Sequence, residues 1–187
     1  MKLWLLRHAQ PLVPDGVCYG ATDVTADPQA TQQAAIAAAA LLPSGLAVRT
    51  SPLRRCRELA QALQVLRADL AALEDARLAE MDFGRWEGQP WSAIAPSDFA
   101  AWMADFPGYR CGGGECVSRL MARVDAALDE TRRGGRDALW IAHGGVVRAV
   151  RLLVAGKRLP ARADEWPREP LDFGQAACIE LPWRPGP

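Results

Sequence analysis

A chain of 187 residues, half of them hydrophobic, is long enough for one sizeable core and short for two, so a single domain over residues 1–187 is expected. Its 22 basic and 22 acidic residues cancel, which excludes a global attraction to nucleic acid or to an anionic membrane and leaves any phosphate to locally placed arginines. No apolar run approaches the roughly 20 residues of a membrane span, and the apolar start Leu3–Leu6 is cut short by Arg7-His8. Five scattered cysteines (Cys18, Cys56, Cys111, Cys116, Cys178) without a CxxC pair fit reduced thiols in a cytoplasmic protein.

In chain order, residues 2–6 read as a first buried strand that ends at Arg7-His8. An alanine-rich stretch from about Gln29 to Leu42 reads as a helix stopped by Pro43-Ser44-Gly45, and residues 46–50 as a second strand. Ser51-Pro52 is expected to open a helix reaching about Leu66, with Ser51 as N-cap and Pro52 in the first turn. In it Leu53, Cys56, Leu59, Ala60, Leu63 and Leu66 keep the three- and four-residue spacing of one apolar face. A weak strand is expected near Arg77-Leu78, followed by helical stretches at about 91–106 and 115–132. A strand at 138–142, a helix at 145–155 and a last strand at about 177–181 complete the pattern. This alternation predicts an α/β three-layer sandwich, a mostly parallel central sheet with helices on both faces.

The chain has only two histidines, and each ends an apolar strand: His8 after residues 2–7, and His143 after residues 138–142, with Gly144-Gly145 next. Ligands of open α/β sheets bind beyond the carboxyl ends of the strands, so two distant imidazoles can meet in one pocket. Either histidine alone reads better as an ordinary strand-end residue satisfying a local hydrogen bond. The pair, with Arg7 beside one and a helix start beside the other, points to an anion site that holds a nucleophile. Arg54 lies in the first turn of its predicted helix, where free N–H groups and the helix dipole favour anions. Arg57, one turn on, shares that face or is solvated. Arginines and a second histidine can hold phosphoryl oxygens by charge-assisted hydrogen bonds, and their charge favours a neutral, nucleophilic His8.

A leaving alkoxide needs a proton, and Glu80, among Met81, Phe83 and Trp86, is the candidate acid, with Asp82 as the alternative. Gly112-Gly113-Gly114 lacks the Lys and Ser/Thr of a Walker-type loop and reads as a flexible connection before a helix. Two histidines and no cysteine pair argue against a zinc site.

Five motifs in order now carry a resemblance: Leu6-Arg7-His8-Ala9; Ser51-Pro52-Leu53-x-Arg55-Cys56; Leu78-x-Glu80 through Gly88; Gly113-Gly114-Glu115; and His143-Gly144-Gly145-Val146-Val147-Arg148. Together they are similar to the histidine phosphatase (phosphoglycerate-mutase-like) superfamily. The resemblance implies an α/β sandwich, a phosphohistidine mechanism, no metal or other cofactor, and a small phosphorylated metabolite as partner. It also implies His8 as nucleophile, Glu80 as proton donor, and Arg7, Arg54 and His143 as the phosphate pocket. Arg54 is preferred because the family's pocket arginine follows shortly after the Ser-x-x stretch, with Arg55 as the alternative.

The family's usual Arg-His-Gly-Glu-Thr start reads Arg7-His8-Ala9-Gln10-Pro11 here, so a hydroxyl that often lies near the phosphate is missing, and Gln10 replaces it only in part. This start, with Cys18-Tyr19-Gly20 and Asp23, looks more like the α-ribazole phosphatase branch, which implies α-ribazole 5′-phosphate as substrate. A broad-specificity sugar- or nucleotide-phosphate phosphatase is the alternative, and a catalytically silent phosphate-binding protein the rival. Mutase activity is not expected, because the chain leaves little room for the segments with which mutases close over their substrate. Trp86, Trp91 and Trp102 fall in the segment that overhangs the family's site, as packing or as a stacking surface for a flat leaving group.

Overall fold

The structure, a computed structural model, describes residues 1–169 and 171–182. Strands β1 (Lys2–Arg7), β2 (Ala47–Thr50), β3 (Ala72–Glu74), β4 (Ala138–Ala142) and β5 (Ala176–Glu180) form one sheet in the order β3-β2-β4-β1-β5. The first four are parallel, and β5 closes one edge antiparallel to β1. Helices α1 (Pro28–Leu41), α2 (Arg54–Leu66), α3 (Pro96–Ala104), α4 (Val117–Gly134) and α5 (Gly144–Val154) complete the three-layer α/β sandwich that the alternation predicts.

Period-two alternation divides the core in two. Leu3 and Leu5 of β1, with Ala138, Trp140 and Ala142 of β4, pack under α4 and α5. Leu6, Leu139 and Ile141 point the other way, onto α1 and α2. Every residue of β4 is buried, as a central strand covered on both faces must be.

Three predicted elements differ. The third strand lies at Ala72–Glu74, and Arg77-Leu78 belongs to a short helical turn over Ala76–Leu78, entered through the side chain of Asp75. The stretch 91–106 is broken into a turn at Trp91–Ala93 and the shorter α3, because Pro96 forces the residue before it out of helical backbone, and Ala95 is extended there. Helix α2 starts at Arg54, with extended Leu53 at its cap, so Ser51 does not cap it. Among the described residues no helix is long and apolar enough to cross a membrane.

Candidate active site

β1 and β4 lie side by side with Arg7 opposite Ala142, so His8 and His143 leave the sheet together. Their ring centroids are 5.1 Å apart. His8 is only 2% exposed, and its Nδ1 lies 2.7 Å from the Ala9 carbonyl oxygen. A carbonyl only accepts, so Nδ1 carries the proton and the Nε2 lone pair is free. Burial, then Arg55 and more weakly Arg7, hold His8 down to about 3, against the Ala9 carbonyl, which favours the charged ring. The sequence credits this neutrality to the arginines; burial is the larger cause.

His143 is fully buried, with Nε2 2.7 Å from Ser51 Oγ and 3.5 Å from Cys56 Sγ. Burial first, then Arg55 and the neighbouring His8, hold it well below the usual imidazole range. It therefore packs behind His8 and does not reach the wall of the cavity that His8 lines. The Ser51 hydroxyl, predicted as a helix cap, serves this imidazole and accepts from the Leu53 N–H.

Arg55, not Arg54, enters the site. The buried stripe of α2 is Arg55, Cys56, Leu59, Ala60 and Leu63. Arg55 stands four residues before Leu59 on the inward face, whereas Arg54 stands four before Glu58 on the outward one. Arg55 is accordingly 0% exposed, while the Arg54 side chain is 58% exposed and donates to Glu58 at 2.8 Å. Arg57 also faces outward, 3.8 Å from Asp23. The Arg55 guanidinium is aimed by two carbonyls, donating to Gly20 at 2.8 Å and Thr22 at 2.9 Å, and its Nε is left without a partner.

Arg7 is aimed from the far end of the chain. Its Nη1 donates to the Leu171 carbonyl at 2.8 Å, and its guanidinium lies 3.8 Å from the centre of the Phe173 ring. Tyr19 stands beside both arginines, its ring centre 5.4 Å from the Arg55 guanidinium carbon. Burial pushes its hydroxyl up and outweighs the two arginines, so it stays a protonated donor. Gln10, the expected partial substitute for the missing hydroxyl, is exposed, and Tyr19 brings one into the cavity instead.

Glu80 faces the same cavity. Its carboxylate accepts from the Met81 N–H and, at the start of α5, from the Gly145 N–H, both at 2.9 Å. A Cβ on Gly145 would lie 2.2 Å from Glu80 Oε1, so the approach needs glycine. Asp82 is exposed, accepts from the Gly84 N–H at 2.7 Å and does not line the cavity. Glu87 ties two loops together, accepting from the N–H groups of Ala21, Thr22 and Phe83.

The cavity measures about 550 Å³, and the aromatic rings in its lining pack on one another, Phe83 on Trp91 and Trp102, Trp102 on Phe106, and Phe106 on Trp166. The polar part of its lining is Arg7, His8, Tyr19, Arg55, Glu80, Arg148 and Arg168. Trp86 is buried behind the aromatic rings, stacked on Phe99 and Tyr109. Sequence reasoning misses Tyr19, Arg148 and Phe173. Arg148 alone left a signal: it follows Gly145 by three residues on α5 and so shares the face that meets Glu80.

Comparison with known proteins gives the same picture. The sequence pattern described as "Histidine phosphatase superfamily (branch 1)" matches residues 3–172. A search of curated protein sequences finds no match. Among solved structures, the chain is similar to "Mycobacterial hydrolase 2", at 25% identity over 99% of this chain and 84% of that one, with a TM-score of 0.82. Mycobacterial glucosyl-3-phosphoglycerate phosphatase is 25% identical over 95% of this chain and 88% of that one (TM-score 0.79). Phosphoglycerate mutase from Thermus thermophilus is 29% identical over 98% of this chain and 95% of that one (TM-score 0.73), so chain length does not separate phosphatase from mutase here. With paired histidines at the ends of two parallel strands, and a pattern that runs from β1 to the segment that aims Arg7, the chain belongs to the histidine phosphatase superfamily, branch 1.

Proposed function

We propose that the protein is a phosphomonoesterase that works through a phosphohistidine, with a cytoplasmic location suggested by its five free thiols. One observation carries the reading: a neutral His8 with its Nε2 lone pair free lines a cavity together with Arg7, Arg55 and Glu80. In the first step Nε2 attacks phosphorus, the P–O ester bond breaks, and protonated Glu80 gives its proton to the leaving oxygen. In the second, Glu80 carboxylate takes a proton from water, the water oxygen bonds to phosphorus, and the P–N bond breaks. Phosphate leaves, and both residues regain their starting states. Arg7 and Arg55 hold the phosphoryl oxygens and Tyr19 adds an O–H donor, while buried His143 packs against the His8 ring from outside the cavity. Fixed positive charge around the transferring group supplies most of the acceleration.

The aromatic cluster in the cavity lining favours a flat, apolar leaving group stacked against Trp91 and Trp102. Among phosphomonoesters, α-ribazole 5′-phosphate has this shape and is our first candidate. Sugar and nucleotide phosphates are the broader alternative, and the names of the mycobacterial and Thermus relatives add phosphoglycerate-type esters. A panel of these esters scored by kcat/KM, with released phosphate measured separately from transferred phosphate, tests the substrate. Brief reaction with labelled ester followed by alkaline quench should trap label on His8, and His8→Ala should lose about 10³-fold or more in turnover. Acid-stable label, or label on Ser or Cys, would rule the mechanism out. Substrate binding without turnover would favour the silent reading.

A further inference from the structure

We propose that Glu115 and Arg123 are positioning residues for the acid, a clamp that fixes the backbone on both sides of Glu80; this rests on the reading of Glu80 as proton donor. The segment 79–83 belongs to no helix or strand, so no ladder of backbone bonds holds it. Arg123 of α4 and Glu115, two residues before that helix, supply the hold. Arg123 Nη1 donates to the carbonyls of Arg77 at 2.7 Å and Ala79 at 2.6 Å, the latter immediately before Glu80. Its Nε and Nη2 meet the Glu115 carboxylate at 2.8 and 3.0 Å, a two-pronged ion pair that leaves little rotational freedom. Glu115 then reaches the other side of Glu80. Its N–H donates to the Asp82 carbonyl at 2.7 Å, and its carboxylate accepts from the Asp82 N–H at 3.4 Å.

Both side chains are largely buried, at 19% and 13% exposure. The Gly112–Gly114 loop closes on the same segment, and a Cβ on Gly112 would come within 2.0 Å of the Phe83 carbonyl. The loop and acidic helix start that read as a flexible connection in the sequence are thus the mount on which the acid stands. A displacement of about 1 Å at a reacting group can cost on the order of 10²-fold in rate. A pair that merely stabilises the fold would slow all substrates alike.

The test measures kcat and KM of Glu80→Gln, Arg123→Met and Glu115→Gln, and of Arg123→Met combined with Glu80→Gln, on an alkyl phosphate and on nitrophenyl phosphate. Arg123→Met should lower kcat on the alkyl ester about 10-fold or more beyond its effect on the nitrophenyl ester, with KM little changed. Combined with Glu80→Gln, it should widen the gap between the two esters no further. Glu115→Gln keeps the side chain's shape and should show a smaller gap of the same sign. Equal losses on both esters, or a double variant whose gap is the product of the single ones, would overturn the clamp while leaving Glu80 as acid. A Glu80→Gln enzyme with no gap would overturn the acid and the clamp together. Should Arg123→Met fail to fold, Glu115→Gln decides by the same comparison, and unchanged amide exchange at Met81 and Gly145 in that variant would count against the clamp.

Discussion

Two neighbouring arginines have opposite fates at the start of α2, and exchanging each for alanine separates a binding group from a surface charge. Arg55→Ala removes a fixed guanidinium from the cavity and leaves the carbonyls of Gly20 and Thr22 without their donor. Charge-assisted bonds are worth about 1.5–3 kcal/mol each, so kcat/KM should fall on the order of 10²-fold or more, with an appreciable drop in Tm. Arg54→Ala breaks one exposed contact with Glu58 and should cost about 0.5 kcal/mol or less, with activity close to wild type. A crippled Arg54→Ala enzyme would place the phosphate elsewhere than in this cavity. The choice was legible in the sequence, though not from the Ser-x-x spacing. Residue 55 falls on the apolar stripe of Leu59 and Leu63, residue 54 on the stripe of Glu58, and a charged residue on an apolar face needs a reason to be there.

Elements, rather than single residues, set the place of Glu80. Its carboxyl group is held at the first turn of α5, where the Gly145 N–H donates to Oε2 at 2.9 Å. Gly145→Ala tests that docking without deleting a charge. The added methyl group would meet Glu80 Oε1 at 2.2 Å, so the carboxylate must move away. Gly145 is helical and has negative φ, so alanine suits the backbone there and should leave stability unchanged or raise it by the roughly 0.5–1 kcal/mol of helix propensity. The expected enzyme is therefore as stable as wild type and impaired on poor leaving groups; full activity on an alkyl phosphate would place the working position of Glu80 away from α5. At this scale the sequence was readable wherever a pattern is local: β1 and β4 declare themselves as short apolar runs and α2 by its three- and four-residue spacing, and with the strands come His8 and His143. It was silent where one loop meets another. Nothing near Arg7 indicates that Leu171 and Phe173 aim it, and nothing near Cys18 indicates that Tyr19 reaches two arginines, because those contacts join segments far apart in the chain.

Across the whole molecule, the two buried imidazoles make stability depend on pH in a definite direction. His8 is held at about 3 against an ordinary 6.5, and His143 is also held well below that value. The unfolded chain takes up protons on both rings as pH falls through 6.5, whereas folded His8 stays neutral until pH nears 3 and folded His143 takes up its proton only well below 6.5. Within that window the unfolded state binds more protons, so stability is fully present above about pH 6.5 and is lost as pH falls. The slope is about 1.4 kcal/mol per pH unit for each fully buried imidazole. Asp75 follows in a lower window. Burial alone would raise it, but hydrogen bonds from Arg77 and Arg49 prevail and hold it at about 2 against 3.8, so its contribution is lost only below about pH 4. Urea midpoints at pH 7, 6 and 5 should therefore fall steadily before any buried carboxylate is involved. His8→Asn, which removes one of the two rings, should roughly halve the slope over the same range. A midpoint that stayed level from pH 7 to 5 would mean that the imidazoles are charged in the folded protein, and a charged His8 has no lone pair with which to attack phosphorus.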